Sequence, residues 1–169
     1  MKQILTEWRK YIAEEDNLEQ NIYSFDFDNT LIRYHTLEDG DVEYLGPHEA
    51  NIQLLKDLAA DGNKIIIVTS RSTPKRKFEW DKAPTPEEAV QEFGLPVSEI
   101  YYTRGEIKVN KLIELGVSKH WDDDEDEVEA AREAGIEATL VSVEEDVADK
   151  LKDKWLRHLE EIAKHIIKN

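Results

Sequence analysis

The chain has 169 residues, a formal net charge of −16, 40% hydrophobic and 36% charged residues, and no cysteine. Its length and apolar fraction suit one domain with a single core and exclude wholesale disorder; the missing thiols exclude disulfides, thiolate catalysis and Cys-ligated zinc. The excess of acid argues against broad electrostatic capture of nucleic acid and favours hard divalent cations.

Ile4, Leu5, Trp8, Tyr11 and Ile12 recur with helical spacing and predict an amphipathic N-terminal helix within residues 1–20. The opening MKQILTEWRK lacks the apolar core of a signal peptide, and no stretch approaches the roughly 20 apolar residues of a membrane helix, so a cytoplasmic protein without membrane contact is expected. Residues 22–27 are β-rich and read as a buried strand. A loop follows, with Asp39-Gly40-Asp41 as its turn signal. Pro47 opens a helix that Ile52, Leu55, Leu58 and Ala59 continue to Asp61-Gly62. Residues 64–68 form a second buried strand, and residues 71–86 an irregular connection with three prolines. Thr85 caps a short helix over 86–93, and a third strand spans 99–102. A helix over 109–115 stops at Gly116, a short fourth strand spans 119–121, a helix over 127–134 closes at Gly135, and a fifth strand spans 138–143. Val147, Leu151, Trp155, Leu159, Ile162 and Ile166 then mark one long C-terminal helix, which packs on the rest of the fold or serves as a docking or dimerisation surface.

Strands alternating with helices predict an α/β fold, a parallel sheet with helices on both faces. The core spans 21–143; residues 1–20 and 144–169 add terminal helices to the same globular domain.

The charge is uneven. Residues 122–146 hold 12 acids against one base, Arg132, whereas residues 71–77 hold Arg71, Lys75, Arg76 and Lys77 and no acid. The chemistry concentrates where strands end. Asp26 and Asp28 close the first strand one residue apart, at the edge where open α/β sheets bind ligands, and they repel unless a cation or a shared proton intervenes. The second strand ends in Thr69-Ser70-Arg71, where a hydroxyl and free backbone amides can hold a phosphate oxygen. Lys108, with Lys111 one turn on, precedes the fourth strand. That strand ends His120-Trp121-Asp122-Asp123-Asp124, where carboxylates beside an aromatic strand end are costly without a cation. Each feature also has a plain structural reading: a solvated turn, a strand-end cap, a surface lysine, a solvated acidic face.

Together these four segments resemble the motifs of the haloacid dehalogenase superfamily of phosphohydrolases, over roughly residues 22–143. Asp26-Phe27-Asp28-Asn29-Thr30 is similar to the first motif, Thr69 or Ser70 to the second, Lys108 to the third and Trp121-Asp122-Asp123 to the fourth. The resemblance implies a Rossmann-like sheet of five strands in the order 3-2-1-4-5. It implies that Asp26 is a nucleophile forming an aspartyl-phosphate, and Asp28 the general acid and then base. It implies one Mg²⁺ held by Asp26, the backbone carbonyl of Asp28 and Asp122, with Asp123 supporting its waters; the assignment within Asp122–Asp124 stays open by one residue. Thr69 or Ser70, Asn29, and Lys108 or Lys111 would bind the phosphoryl group.

The connections after the first and second strands are too short for a cap domain. An open site is therefore expected, with Arg71, Lys75, Arg76 and Lys77 on its rim or merely solvated. The open site and the Asp-Asp fourth motif are similar to those of phage-type polynucleotide 3′-phosphatase domains. The expected function is Mg²⁺-dependent hydrolysis of a phosphorylated small molecule, nucleotide or polynucleotide end. The alternative is a non-catalytic phospho-acceptor or binding module; a receiver-like site is disfavoured because the third strand ends Tyr102-Thr103-Arg104, with no Asp. Oligomeric state is not specified by these features.

Overall fold

The computed structural model describes residues 20–36, 42–72 and 83–142. The two terminal helices expected from sequence, the Asp39-Gly40-Asp41 turn and the rim residues Lys75, Arg76 and Lys77 lie outside the described residues.

Along the chain run β1 (Ile22–Phe25), β2 (Ile32–Thr36), β3 (Val42–Pro47), α1 (Glu49–Ala60), β4 (Lys64–Thr69), α2 (Pro86–Glu92), β5 (Glu99–Tyr102), α3 (Val109–Glu114), β6 (Val117–Asp122), α4 (Glu125–Glu133) and β7 (Glu137–Leu140). Five strands form one sheet in the order β5-β4-β1-β6-β7, every neighbouring pair parallel. In chain numbering this differs from the expected 3-2-1-4-5, because two strands intervene after β1. β2 and β3 form a separate antiparallel hairpin where the sequence reading has a loop. The hairpin has a local cause: Ile32 and Tyr34 alternate on one strand, and Tyr34 and Tyr44 are cross-strand partners with ring centroids 6.1 Å apart.

Strand alternation sorts the sheet's side chains onto two faces. Tyr23, Phe25, Ile65 and Ile67 pack on one side with Ile52 and Leu55 of α1 and Ala89 of α2. Ile66 and Val68 pack on the other with Leu112 of α3 and Val128 and Ala131 of α4. Helices therefore cover both faces of a Rossmann-like sheet, which is why β4 reads as an unbroken apolar run. Phe25 and Trp121, neighbours across β1 and β6, stack with centroids 4.5 Å apart and planes 5° apart. Burying each such side chain contributes about 1.5–3 kcal/mol.

Pro47 ends β3 instead of opening α1, which starts at Glu49 with His48 as its cap, accepting the Asn51 N–H; the ends of the later helices follow their sequence signals. Thr85 and Glu88 form a capping box at the start of α2, each side chain accepting the other's backbone N–H. Gly116 and Gly135 end α3 and α4 with φ of +67° and +84°, a region that strains any residue with a Cβ.

The topology fixes where a ligand can sit. From β1 the chain moves outward through β4 to β5, then returns past β1 to β6. The crevice beyond the carboxyl ends of β1 and β6 is thus the switch point of the sheet, the usual ligand position in this architecture. Among the described residues no helix is long and apolar enough to cross a membrane.

Candidate active site

Asp26 follows β1 directly, and its N–H donates to the Trp121 carbonyl at 2.8 Å, so it remains laddered to β6. Asp122 is the last residue of β6. Ser24 and His120 are register partners on β1 and β6, and each stands two residues before one of these carboxylates. Period-2 alternation therefore places all four side chains on one face. Lys108 immediately precedes α3, and its N–H donates to Glu127 Oε2 at 2.9 Å, tying it to the first turn of α4. The loop leading to Lys108 is laced to the end of β4: Thr103 N–H donates to the Thr69 carbonyl at 2.9 Å, and Gly105 N–H to the Ser70 carbonyl at 2.8 Å.

These elements converge on a buried charge cluster. Lys108 Nζ donates to Asp26 Oδ1 and to Asp122 Oδ2, each at 2.7 Å, with all three side chains 5% exposed or less. Asp122 Oδ2 also lies 2.9 Å from His120 Nε2, and His120 Nδ1 lies 2.7 Å from Ser24 Oγ. An ionised Asp122 only accepts, so His120 Nε2 must carry the hydrogen. The Asp124 N–H donates to the remaining oxygen, Oδ1, at 3.0 Å. One carboxylate oxygen each from Asp26, Asp122 and Asp123 lies within 4.8 Å of the other two.

The electrostatics differ among the carboxylates. Burial pushes the Asp26 carboxyl well above the usual carboxylate range; Lys108 pulls the other way, while Asp122 and Asp28 add to the rise. Burial also opposes the charge on Asp122, but His120 and Lys108 outweigh it and hold that carboxyl low. The Lys108 ammonium is opposed by burial and more than restored by Asp26 and Asp122, so it titrates above the usual lysine range. Burial, with the charge of Asp122 behind it, pushes Asp123 up to about 6, against the Asn29 side-chain hydrogen bond and Lys108. Three converging carboxylates outnumber the Lys108 charge, and an all-oxygen donor set of this kind fits a hard divalent cation.

Several sequence expectations find different places. Asp28 is turned to Arg71, whose Nε and Nη2 donate to its Oδ2 and Oδ1 at 2.8 and 2.6 Å. Nη2 of Arg71 also donates to Tyr34 Oη at 2.8 Å, and the guanidinium carbon sits 4.9 Å above the Phe27 ring. Thr69 ends β4 fully buried, its Oγ1 accepting the Arg71 N–H at 3.3 Å, whereas Ser70 is exposed. Asn29 adopts a left-handed φ of +55°, its Oδ1 accepting the Tyr34 N–H at 3.3 Å. Lys111 pairs with Glu114 on the surface, so Lys108 is the lysine of the cluster. Asp124 caps α4 by accepting the Asp126 N–H at 2.9 Å, which leaves Asp122 and Asp123 as the cluster's carboxylates from this run.

Ser24, His120, Glu127 and Tyr34 were not among the expected site residues. For Ser24 and His120 a signal existed: a polar residue two positions before a strand-end carboxylate shares its face.

No protein-family model matches the chain, and no curated protein matches it. Among solved structures the chain is similar to the hypothetical protein XCC2798 from Xanthomonas campestris, with 22% identity and a TM-score of 0.44, covering 70% of this chain and 63% of that one. The chain thus spans less than two thirds of that protein's length.

Proposed function

We propose that the protein is a Mg²⁺-dependent phosphomonoester hydrolase of the haloacid dehalogenase type, working through an aspartyl-phosphate on Asp26. The observation that carries this reading is the buried Lys108 Nζ shared by Asp26 and Asp122 at 2.7 Å each, with Asp123 beside them at the sheet's switch point. In the first step an Asp26 carboxylate oxygen bonds to phosphorus as the ester P–O bond breaks, and Asp28, released from the Arg71 fork and protonated from solvent, gives that proton to the leaving alcohol. In the second, water bonds to the same phosphorus and passes a proton to Asp28, and the bond from Asp26 to phosphorus breaks to release phosphate. Lys108 and Thr69 hold the phosphoryl oxygens, with Ser70 and Asn29 at the margin. Asp26, Asp122, Asp123 and the Asp28 backbone carbonyl would hold Mg²⁺, which would supply positive charge against the repulsion between a carboxylate and a phosphate dianion.

The insert between β1 and α1 is a two-stranded hairpin rather than a separate domain, which supports an open site. A phosphorylated small molecule, a nucleotide or a polynucleotide end suits such a site. One observation favours the second reading, a non-catalytic phospho-acceptor or binding module: both oxygens of Asp28 are engaged by Arg71. The two readings separate on phosphate release from an aryl phosphate with and without Mg²⁺. Sustained Mg²⁺-dependent release that falls to background in Asp26→Asn supports the hydrolase. Undiminished turnover by that variant, or beryllofluoride trapping by a wild-type protein that releases no phosphate, refutes it.

A further inference from the structure

Arg104 occupies the rim of the crevice in a backbone conformation that strains it. Its φ is +59° and that of Gly105 is +83°, two left-handed residues in succession. A residue with a Cβ is disfavoured there, whereas glycine takes the same turn freely. Asn29, the other non-glycine residue at positive φ among the described residues, belongs to a type that tolerates the region. Strain of this kind at a site's edge points to a side chain with work to do. The turn is tied to the end of β4: the N–H groups of Thr103, Arg104 and Gly105 donate to the carbonyls of Thr69, Arg71 and Ser70 at 2.9, 3.3 and 2.8 Å. Lys108 follows four residues on. Arg104 is exposed. Among the described residues the ion pairs of lysine and arginine engage Lys64, Arg71, Lys108, Lys111 and Lys119, and Arg104 is in none of them. In a chain with 38 acids against 22 bases, a rim cation without a carboxylate partner is available to an anionic ligand.

The two sides of the crevice differ in charge. Arg104 stands on the β4–β5 side, whereas Asp124, Glu125 and Asp126 are exposed on the β6 side, where α4 begins. We propose that Arg104 forms a second anion subsite, so that the site prefers phosphomonoesters whose leaving group carries a further phosphate and seats that leaving group over β4 and β5. The inference rests on the hydrolase reading, with the transferred phosphoryl group at Asp26, Thr69 and Lys108. A charged leaving group turned towards α4 meets three carboxylates. Turned the other way it meets a guanidinium, whose planar fork matches a phosphate. Two strand spacings, about 10 Å, separate β5 from β1. A long arginine side chain and a few bonds of substrate together bridge that gap.

Such a further phosphate occurs in a free bisphosphate and in the last phosphodiester of a 3′-phosphorylated strand. The test compares kcat/KM for phosphate release, with Mg²⁺ and at low salt, from a nucleoside 3′-monophosphate, the matching 3′,5′-bisphosphate and a short 3′-phosphorylated oligonucleotide. For the wild-type protein at least one compound with the further phosphate should exceed the monophosphate by about fivefold or more, an advantage that shrinks as added salt screens the exposed guanidinium. Which of the two does so tells the free bisphosphate from the strand end. Arg104→Gly removes the side chain and suits the left-handed turn, so the ratio should fall to near unity while the melting temperature holds. Arg104→Glu should take the ratio below unity, and Arg104→Lys, which keeps the charge and loses the fork, should leave it in between. Melting curves show that each variant is folded, and Arg104→Glu and Arg104→Lys carry the test should Arg104→Gly lose the fold. Phosphate release with no preference in the wild type, or a preference that the Arg104 variants leave unchanged, overturns this inference and leaves the hydrolase reading standing. So does a preference that appears only when Glu125→Gln and Asp126→Asn neutralise the α4 side. Absence of release from every compound overturns both.

Discussion

Replacing Lys108 by Met keeps most of the side-chain stem and removes the ammonium that lies 2.7 Å from Asp26 and from Asp122. Both carboxylates are buried, so the variant leaves them without their shared cation; removing one partner of a buried ion pair costs about 3–5 kcal/mol. For a chain of this size, with m near 2 kcal/mol/M in urea, the unfolding midpoint should fall by about 2 M. The loss should depend on pH in a defined direction. Without Lys108, Asp26, already raised by burial, loses the charge that pulls it down and holds its proton still more tightly in the folded state than in the unfolded one. Such a raised group favours the fold at low pH, and that contribution is lost as pH rises through its folded-state value. The gap to wild type should therefore be widest near pH 8 and shrink towards pH 5. Asp26→Asn on the same background should cost less than the sum of the two single changes, with a coupling of roughly 0.5–3 kcal/mol. Urea titrations followed by intrinsic fluorescence at the two pH values measure all of this. A Lys108→Met loss under about 1 kcal/mol at pH 8, well below the cost of breaking a buried pair, or a loss independent of pH, would refute the buried-cluster argument.

Two further outcomes follow from the same geometry. Asp123, pushed up to about 6, exchanges its carboxylate for a neutral acid as pH falls, and a protonated carboxyl does not ligate. Mg²⁺ affinity measured by calorimetry should accordingly weaken by about tenfold or more between pH 7.5 and pH 5, with Asp26 adding to the loss; a flat profile would exclude Asp123 as a ligand. His120 and Ser24 form a buried chain behind Asp122. His120→Gln and Ser24→Ala should weaken Mg²⁺ binding by about tenfold or more by loosening that carboxylate, and unchanged affinity in folded variants would show the chain to be a passive part of the core.

Much of the framework was legible because it depends on local pattern. The run Ile65-Ile66-Ile67-Val68 announces a strand covered on both faces, Thr85 announces a helix start, and Gly116 and Gly135 announce helix ends. The hairpin was less legible because its strands do not face a continuous apolar layer: Arg33 and Glu43 interrupt the pattern, and the Asp39-Gly40-Asp41 turn reads equally well as a plain loop. The lysine assignment needed space rather than sequence. Lys108 and Lys111 are three residues apart and chemically identical; only the tie from the Lys108 backbone to Glu127 and the lacing of residues 103–105 onto β4 aim one inward and leave the other to Glu114.

The position of the acids has a topological reason as well. A carboxylate at a strand end is costly wherever helices seal both faces, and it is tolerated where the sheet order reverses and opens a crevice. Asp26 and Asp122 close the two strands on either side of that reversal, whereas Thr103, at the end of the outer strand β5, spends its hydroxyl on the Glu106 carbonyl of its own loop. Asp124, two residues beyond Asp122, is already at the start of α4 and serves the helix instead. The same residue type thus takes different work over three positions, because β6 stops at the crevice and α4 begins immediately after it. Lengthening that junction by one residue would carry Asp123 away from Asp26 while leaving Asp122 in the sheet, and would break up the three-carboxylate cluster.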